Sequence, residues 1–329
     1  MKRYGDLFDR TFTEQAMFNA YLDARRGKRQ KRPCFEFELG LGANLAALRR
    51  EILSGTYVLQ PYRQFMVFEP KPRWIYAPAF RDTVVQHAIY REIYPIFDRT
   101  FISSSYACRK GYGTHRASDY IQQALRAYDP YLYTLKLDVR KFFYSIDRDI
   151  LKGLIERKIK DQRLVEMILR FSQSDTPYGI PIGNLLSQIL ALIYLNPVDH
   201  FVKRNLQVRH YVRYVDDMVL VGLTRPQCLD YRDRISQFLK DQLHLELSRS
   251  TIQRIRCGVN FVGYRTWGRH RFIRKYSLYK FRRAVRDGNW KTVASILGHA
   301  KYTTSLPYLL NMARKLSTTQ VKEITYAPD

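Results

Sequence analysis

Cysteine is scarce in this chain: Cys34, Cys108, Cys228 and Cys257 are the only four in 329 residues. Their wide spacing excludes CxxC-type zinc or redox motifs and offers no disulfide framework. Free thiols fit a reducing cytoplasm, and a cytoplasmic location is expected. Acidic charge is also short. The 30 Asp and Glu face 56 Lys and Arg, giving a formal net charge of +26. No run of residues approaches the roughly 18 apolar positions of a membrane span, so no membrane association is expected. The N-terminus, from Met1 to Asp6, carries an acid early and lacks an apolar segment, which argues against a signal peptide. Low-complexity linkers and repeats are missing as well. Apolar and aromatic residues are plentiful, at 46% and 14%, with 25 Tyr, and this excludes a disordered chain. At this length a core can bury about three quarters of the unfolded surface without covalent staples. The basic residues are interleaved with Tyr, Phe and Trp. Cations hold phosphates and aromatic faces stack on bases, so nucleic acid is the expected partner ahead of a membrane surface.

Periodicity divides the chain coarsely. Residues 1–60 read as helical, with Leu39, Leu41, Leu45, Leu48 and Ile52 on one apolar face. The cluster Lys28-Arg29-Gln30-Lys31-Arg32 precedes it, either a solvated loop or a phosphate-contacting arm. Gln64–Phe68 is a strand candidate, and Pro70, Pro72 and Pro78 punctuate the segment after it. Helices are expected near 82–98, 116–128, 148–171, 185–205 and from Pro226 to about 243. Strands are expected at Tyr131–Asp138, Tyr211–Tyr214, Met218–Gly222 and within 245–264. Strands and helices mixed without regular βαβ alternation point to an α+β fold. Residues 265–329 hold 14 Lys and Arg but only Asp287, Glu323 and Asp329 as acids, too few for a second metal-dependent nuclease centre.

Three segments carry chemistry. In Arg213-Tyr214-Val215-Asp216-Asp217-Met218-Val219 two carboxylates sit between apolar strand-like runs. Alone, this is also what a hairpin with Asp-Asp at its tip looks like. In Leu135-Lys136-Leu137-Asp138-Val139 an acid ends an apolar strand, and a helix cap is the plain alternative. Gly179-Ile180-Pro181-Ile182-Gly183-Asn184-Leu185-Leu186-Ser187-Gln188 is a Gly-rich loop opening a helix. Together they have a sharper meaning. Two-metal phosphoryl transfer needs carboxylates converging from separate elements on two cations about 4 Å apart. Oxygen ligands and phosphate substrates select Mg²⁺.

Asp138 with Phe143, Gly183-x-x-x-Ser187 and Tyr214-Val215-Asp216-Asp217 resemble, in order and spacing, motifs A, B and C of the reverse transcriptases. Pro72–Pro78 with Asp82–His87 is similar to motif 1 of that family, Ser105–His115 to motif 2, and Asn260–Tyr264 to the motif E primer grip. Group II intron and retron enzymes usually carry Gln-Gly-x-x-x-Ser-Pro at motif B. Ile182 and Gln188 in place of that Gln and Pro resemble the reverse transcriptases of diversity-generating retroelements, of bacterial or phage origin. Asn196–His200 only half resembles a retron signature and is set aside.

The resemblance implies a right-hand polymerase with an antiparallel palm sheet flanked by helices. It implies a basic extension at 1–60, fingers at 61–130 with the 172–187 loop contributing, a palm at 131–265 and a thumb at 266–329. Asp138, Asp216 and Asp217 would hold two Mg²⁺, with the Val139 carbonyl as a further ligand. Phe143 would be the steric gate against a 2′-hydroxyl, although one of Phe142 and Phe143 is expected in the core. Arg73 would clamp the triphosphate, Lys71 less so, and Arg109 would meet nucleotide or template unless it serves a structural ion pair. Ile182, Gly183, Ser187, Gln188 and Tyr214 would line the nucleotide pocket. Lys28, Arg29, Lys31, Arg32, Gly263, Tyr264, Lys275, Lys280, Arg282, Arg283 and Arg286 would contact nucleic acid. Motif D departs from the pattern: Ser250 stands where relatives carry Lys, and the neighbouring Arg249 is a poor acid. The implied activity is copying of a template-repeat RNA into adenine-mutagenised cDNA from a DNA primer and deoxynucleoside triphosphates, with a small basic accessory variability protein. The alternatives are another bacterial reverse transcriptase, of group II intron or retron type, and a non-polymerising RNA-binding relative.

Overall fold

A computed structural model describes residues 2–68, 72–173 and 176–314. Four helices come first: α1 (Leu7–Thr11), α2 (Glu14–Ala24), α3 (Arg32–Leu39) and α4 (Leu41–Leu53). A hairpin of β1 (Arg63–Val67) and β2 (Arg73–Ala77) comes next, then α5 (Phe80–Asp98) and α6 (Thr114–Arg126). Strand β3 (Tyr133–Val139) leads to α7 (Phe142–Ser145), α8 (Arg148–Glu156), α9 (Gln162–Arg170) and α10 (Leu185–His200), the last prolonged by the π-helical turn Phe201–Asn205. After it stand β4 (His210–Tyr214), β5 (Asp217–Leu223), α11 (Arg225–Leu243) and β6 (Leu247–Arg254). A meander of β7 (Val259–Phe261), β8 (Tyr264–Thr266) and β9 (Arg271–Ile273) precedes α12 (Lys275–Arg286) and α13 (Trp290–Ala300). A further helical stretch runs from 306 to the end of the described residues. The chain forms two compact units, each discontinuous in sequence. One comprises residues 1–103, 139–205 and 234–248; the other comprises 104–138, 206–233 and 249–329.

The first unit is mainly helical. Its core helices are α5, which buries Val84, Val85, Ala88, Ile89 and Ile93, and α10, buried almost without interruption from Leu186 to Leu195. The stretch Leu185–Asn205 is long and apolar enough to cross a membrane, with mean hydropathy 1.3, contrary to the expectation that no such run exists. Two thirds of it is buried inside the protein, and a helix apolar on all sides is what a core position requires. The single apolar face expected across Leu39–Ile52 does not form. Gly40 separates α3 from α4, so Leu48 and Ile52 are buried while Leu39 is 73% exposed. The helix expected at 148–171 is two helices, because Asp161 caps α9 by accepting from Leu164 N and also takes the Phe8 amide. Strand β2 falls in the stretch 61–80 that reads as extended, although only Gln64–Phe68 stands out there as a strand; Pro72 and Pro78 flank β2 without entering its ladder with β1.

The second unit contains the four-stranded sheet in the order β4-β5-β3-β6. Val212, Val219 and Val221 on one face pack with Ala117, Ile121, Ala124 and Leu125 of α6 and with Phe261 of β7. Gly222, at φ +84, marks a register shift opposite Tyr133 and Thr134; a Cβ there would run into the Tyr128 ring. The β7-β8-β9 meander, α12 and α13 share a separate core of Tyr264, Ile273, Phe281, Val285, Val293, Ile296 and Leu309.

Candidate active site

Side chains alternate along a strand. In β3, Leu135, Leu137 and Val139 are buried on one face, which leaves Lys136 and Asp138 together on the other. Antiparallel pairing sets Asp138 directly opposite Asp217, the first residue of β5, and Tyr214 opposite Asp217 on its other side. Asp216 sits in the two-residue turn between β4 and β5. The expected Asp138, Asp216 and Asp217 are therefore brought together. The turn is strained: Val215 has φ +56, a left-handed conformation that costs a β-branched residue about 1–3 kcal/mol. Arg213, wholly buried, donates from Nη1 to the Val215 carbonyl at 2.9 Å and holds that turn. Arg213 N donates to Ser104 O and Tyr106 N to Arg213 O, each at 3.0 Å, so the free edge of β4 is clamped.

Asp217 carries the main electrostatic tension. Its Oδ2 accepts from Lys136 Nζ at 2.7 Å, while its Oδ1 is buried with no hydrogen-bond partner. Burial pushes its pKa up to about 6; the Asp138 and Asp216 charges add to the rise and Lys136 opposes it. Among the described residues no group of three or more His, Cys, Asp or Glu side chains is arranged to hold a metal ion by itself. Mg²⁺ characteristically takes one or two carboxylates and completes its shell with water and substrate phosphate oxygens. An open carboxylate cluster with an unpartnered buried oxygen fits such an ion.

In the first unit the Gly-rich loop is built against β2. Tyr76 N donates to Ile182 O at 2.7 Å, and Gly183, at φ +118, lies so close that a Cβ would sit 2.6 Å from Ile75 Cγ2. Asn184 caps α10 by accepting from Ser187 N at 2.7 Å. Gln86 Oε1 accepts from Leu185 N and Leu186 N, and its buried Nε2 has no partner. Gly183 and Gln188 line a cavity of about 920 Å³ with Lys28, Lys31, Arg32, Arg63, Phe65 and Ile75, and among the described residues no carboxylate lines it. Burial pulls the pKa of His87, also on the wall, down to about 4. The cavity's positive lining suits phosphates.

Residues 69–266, more than half of the chain, match the family described as reverse transcriptase (RNA-dependent DNA polymerase). The chain belongs to the reverse transcriptase family. Protein YkfC of Escherichia coli is 26% identical over 294 residues, covering 74% of this chain and 75% of YkfC. The group II intron-encoded protein LtrA of Lactococcus lactis is 30% identical over 165 residues, 46% of this chain but only 27% of LtrA. A solved structure of Candida albicans telomerase with a fragment of telomeric RNA has the same fold, with a TM-score of 0.50. It covers 82% of this chain and 56% of the telomerase chain, at 13% identity. The fold is thus the α+β right-hand polymerase with antiparallel sheets.

The remaining reverse transcriptase positions divide by burial. Phe142 is the core ring, packed on Tyr194, and Phe143 is left half-exposed beside it. Arg73 opens β2 and is exposed; Lys71 lies outside the described residues. Tyr214 is half-buried and its pKa is raised by burial. Val139 ends β3 with its side chain buried. Arg29 is exposed beside the cavity residues Lys28 and Lys31. Lys275, Arg282, Arg283 and Arg286 are exposed on α12, Lys280 partly so. The last three Arg line a groove of about 660 Å³ with Tyr279 and Tyr308.

Two expectations, those for Ser187 and Tyr264, need correction. Ser187 is 1% exposed and lies behind the pocket wall, not on it. Arg109 is not one of them: its Nη1 donates to Ser105 O and its guanidinium lies 4.1 Å from the Tyr112 ring centroid. Tyr264 is fully buried. Its ring stacks on His299 and its hydroxyl lies 3.0 Å from Nδ1 of both His115 and His299, so it anchors the hairpin from within. Gly263, at φ +90, faces His299 so closely that a Cβ would clash. Sequence reasoning did not assign Lys136 or Gln86. Lys136 had a readable signal, since it lies two residues before Asp138 and so shares its strand face.

Proposed function

We propose that this protein is an RNA-directed DNA polymerase of the diversity-generating type, joining a primer 3′-hydroxyl to the α-phosphate of a deoxynucleoside triphosphate and releasing pyrophosphate. The observation that carries the polymerase reading is the register of Asp138 against Asp217 with Asp216 in the adjoining turn. These three carboxylates would hold two Mg²⁺, which when bound activate the attacking hydroxyl and stabilise the leaving oxygens. Fingers at 61–130, palm at 131–265 and thumb at 266–329 are the domains this reading assigns. The half-exposed Phe143 ring would exclude a ribonucleotide's 2′-hydroxyl, and the exposed Arg73 guanidinium would pair with phosphate oxygens in the bidentate manner Arg favours. The cavity of Lys28, Lys31, Arg32 and Arg63 would take the template phosphates, and the Arg-lined groove of α12 the duplex.

Ile182 supports the mutagenic assignment. Its side chain offers no hydrogen bond where related enzymes place Gln, so discrimination of correct from incorrect base pairs weakens. The partners in this reading are a template-repeat RNA, a DNA primer, deoxynucleoside triphosphates and a small basic accessory variability protein. A second reading, a group II intron-type enzyme, is favoured by the likeness to LtrA. Primer extension on a defined RNA with Mg²⁺, followed by cDNA sequencing, separates the two. Errors concentrated at template adenines, reduced by Ile182→Gln and with all product lost in Asp216→Asn, support the first. Faithful cDNA rejects it while keeping the polymerase.

A further inference from the structure

We propose that Lys136 is a positioning residue that ties catalytic Asp217 to the primer-grip hairpin and sets the charge offered to divalent cations; this rests on the polymerase reading of the carboxylates. Lys136 Nζ donates to Asp217 Oδ2 at 2.7 Å and to the Asn260 carbonyl at 2.8 Å. Asn260 lies in β7, which pairs with β8 in the hairpin turning at Val262 and Gly263. One ammonium therefore bridges a carboxylate on β5 and a backbone carbonyl on β7. The strand geometry makes this possible: Lys136 is opposite Val219, diagonal to Asp217, and a long side chain spans that diagonal.

An ordinary surface ion pair does not describe it. Both side chains are mostly buried, Lys136 24% and Asp217 21% exposed, and the second acceptor is backbone. The charges bearing on Asp217 are Lys136, Asp138 and Asp216. With all three carboxylates ionised the cluster carries three negative charges and Lys136 cancels one. By holding Oδ2 it also directs the unpartnered Oδ1 as the oxygen left for a cation. Removing the ammonium should attract divalent cations more strongly, yet untie Asp217 from the strand that carries the primer grip. Tighter metal binding with slower turnover is a pairing that simple loss of structure does not produce.

The test is Mn²⁺ binding to the full chain at pH 8 without nucleic acid or nucleotide, followed by electron paramagnetic resonance, together with primer extension. Lys136→Met and Lys136→Gln should each tighten Mn²⁺ by about three- to tenfold, as loss of a neighbouring unit charge dictates. Their kcat should fall by about tenfold or more with KM for the nucleotide nearly unchanged, the mark of an interaction used in the transition state. Lys136→Arg, which keeps the charge and two donors, should leave Mn²⁺ affinity unaltered and recover most of the turnover. The proposal is overturned if either neutral variant, folded by circular dichroism, binds Mn²⁺ with equal or lower affinity, or turns over like the unaltered protein. If the unaltered protein binds Mn²⁺ but extends no primer, the polymerase reading fails, and the Mn²⁺ comparison still decides the charge role.

Discussion

Replacing Asp217 by Asn should stabilise the metal-free protein above pH 6 and change nothing near pH 3.5. The Asp217 carboxyl has a pKa of about 6 in the folded protein against an ordinary 3.8. Below 3.8 it is protonated in both states and adds no pH dependence. Between 3.8 and about 6 the unfolded chain ionises while the folded chain holds its proton, so stability falls as pH rises. Above 6 the loss is complete and constant. A shift of about two pH units corresponds to roughly 3 kcal/mol. Lys136 is already contained in that value, since it opposes the rise. Asn cannot ionise and escapes the loss. Thermal unfolding in EDTA should therefore show Asp217→Asn melting roughly 4–8 °C above the unaltered protein at pH 8, with the gap closing as the pH approaches 3.8. Polymerisation should be abolished in the same variant. Equal melting differences at pH 4 and pH 8, or a variant less stable at pH 8, would refute the reasoning. The Lys136 pair would then outweigh burial at this carboxylate.

Gly183→Ala should damage nucleotide or template binding without touching the carboxylates. The new Cβ would meet Ile75 Cγ2 at 2.6 Å and Tyr76 O at 3.2 Å, at a φ of +118. We expect about a tenfold or larger rise in KM from displacement of the loop, with Mn²⁺ affinity in the absence of nucleotide unchanged; an unchanged KM would show that the loop does not border the substrate. Val215→Asn should stabilise the protein by about 1 kcal/mol, because Asn tolerates the left-handed conformation that Val resists. Denaturant midpoints measure this, and a clear loss of stability would mean that Val215 packing matters more than its backbone strain.

The three carboxylates were legible because two patterns agree on them: apolar strand runs that end in acids, and a motif order that resembles that of the reverse transcriptases. The other key residues are less legible, and for Lys136 the only local signal is the strand face it shares with Asp138. A Lys inside a strand reads as a solvated edge, and Lys136 acquires meaning only when Asn260, far along the chain, is folded over it. Gln86 is similar, since the amides it accepts from lie about a hundred residues away at the start of α10. Tyr264 was misassigned for the opposite reason. A Tyr beside Gly263 looks like a contact for nucleic acid, whereas two His from α6 and α13 enclose its hydroxyl. Helix existence followed apolar periodicity; the breaks at Gly40 and Asp161 were set by single residues that periodicity averages over.

The strained and desolvated features of the second unit coincide at one hairpin. Val215 is in an unfavourable backbone region, and Asp217, two residues on, holds a buried, partly unpartnered charge. Together they oppose folding by about 4–6 kcal/mol, a large fraction of the 5–15 kcal/mol by which domains are stable. An unsupported hairpin would relax under that load. This one is held by Arg213 on the turn carbonyl, by the 104–106 backbone along β4 and by β3 along β5. The same arrangement makes cation binding a folding term: an ion that binds only the folded carboxylates stabilises the protein by mass action. Divalent cations should therefore raise the melting temperature of the unaltered protein in a concentration-dependent way and do so far less in Asp217→Asn. The stability gap between the two would then narrow as Mg²⁺ is added, linking the oxygen left without a partner to the chemistry assigned to it.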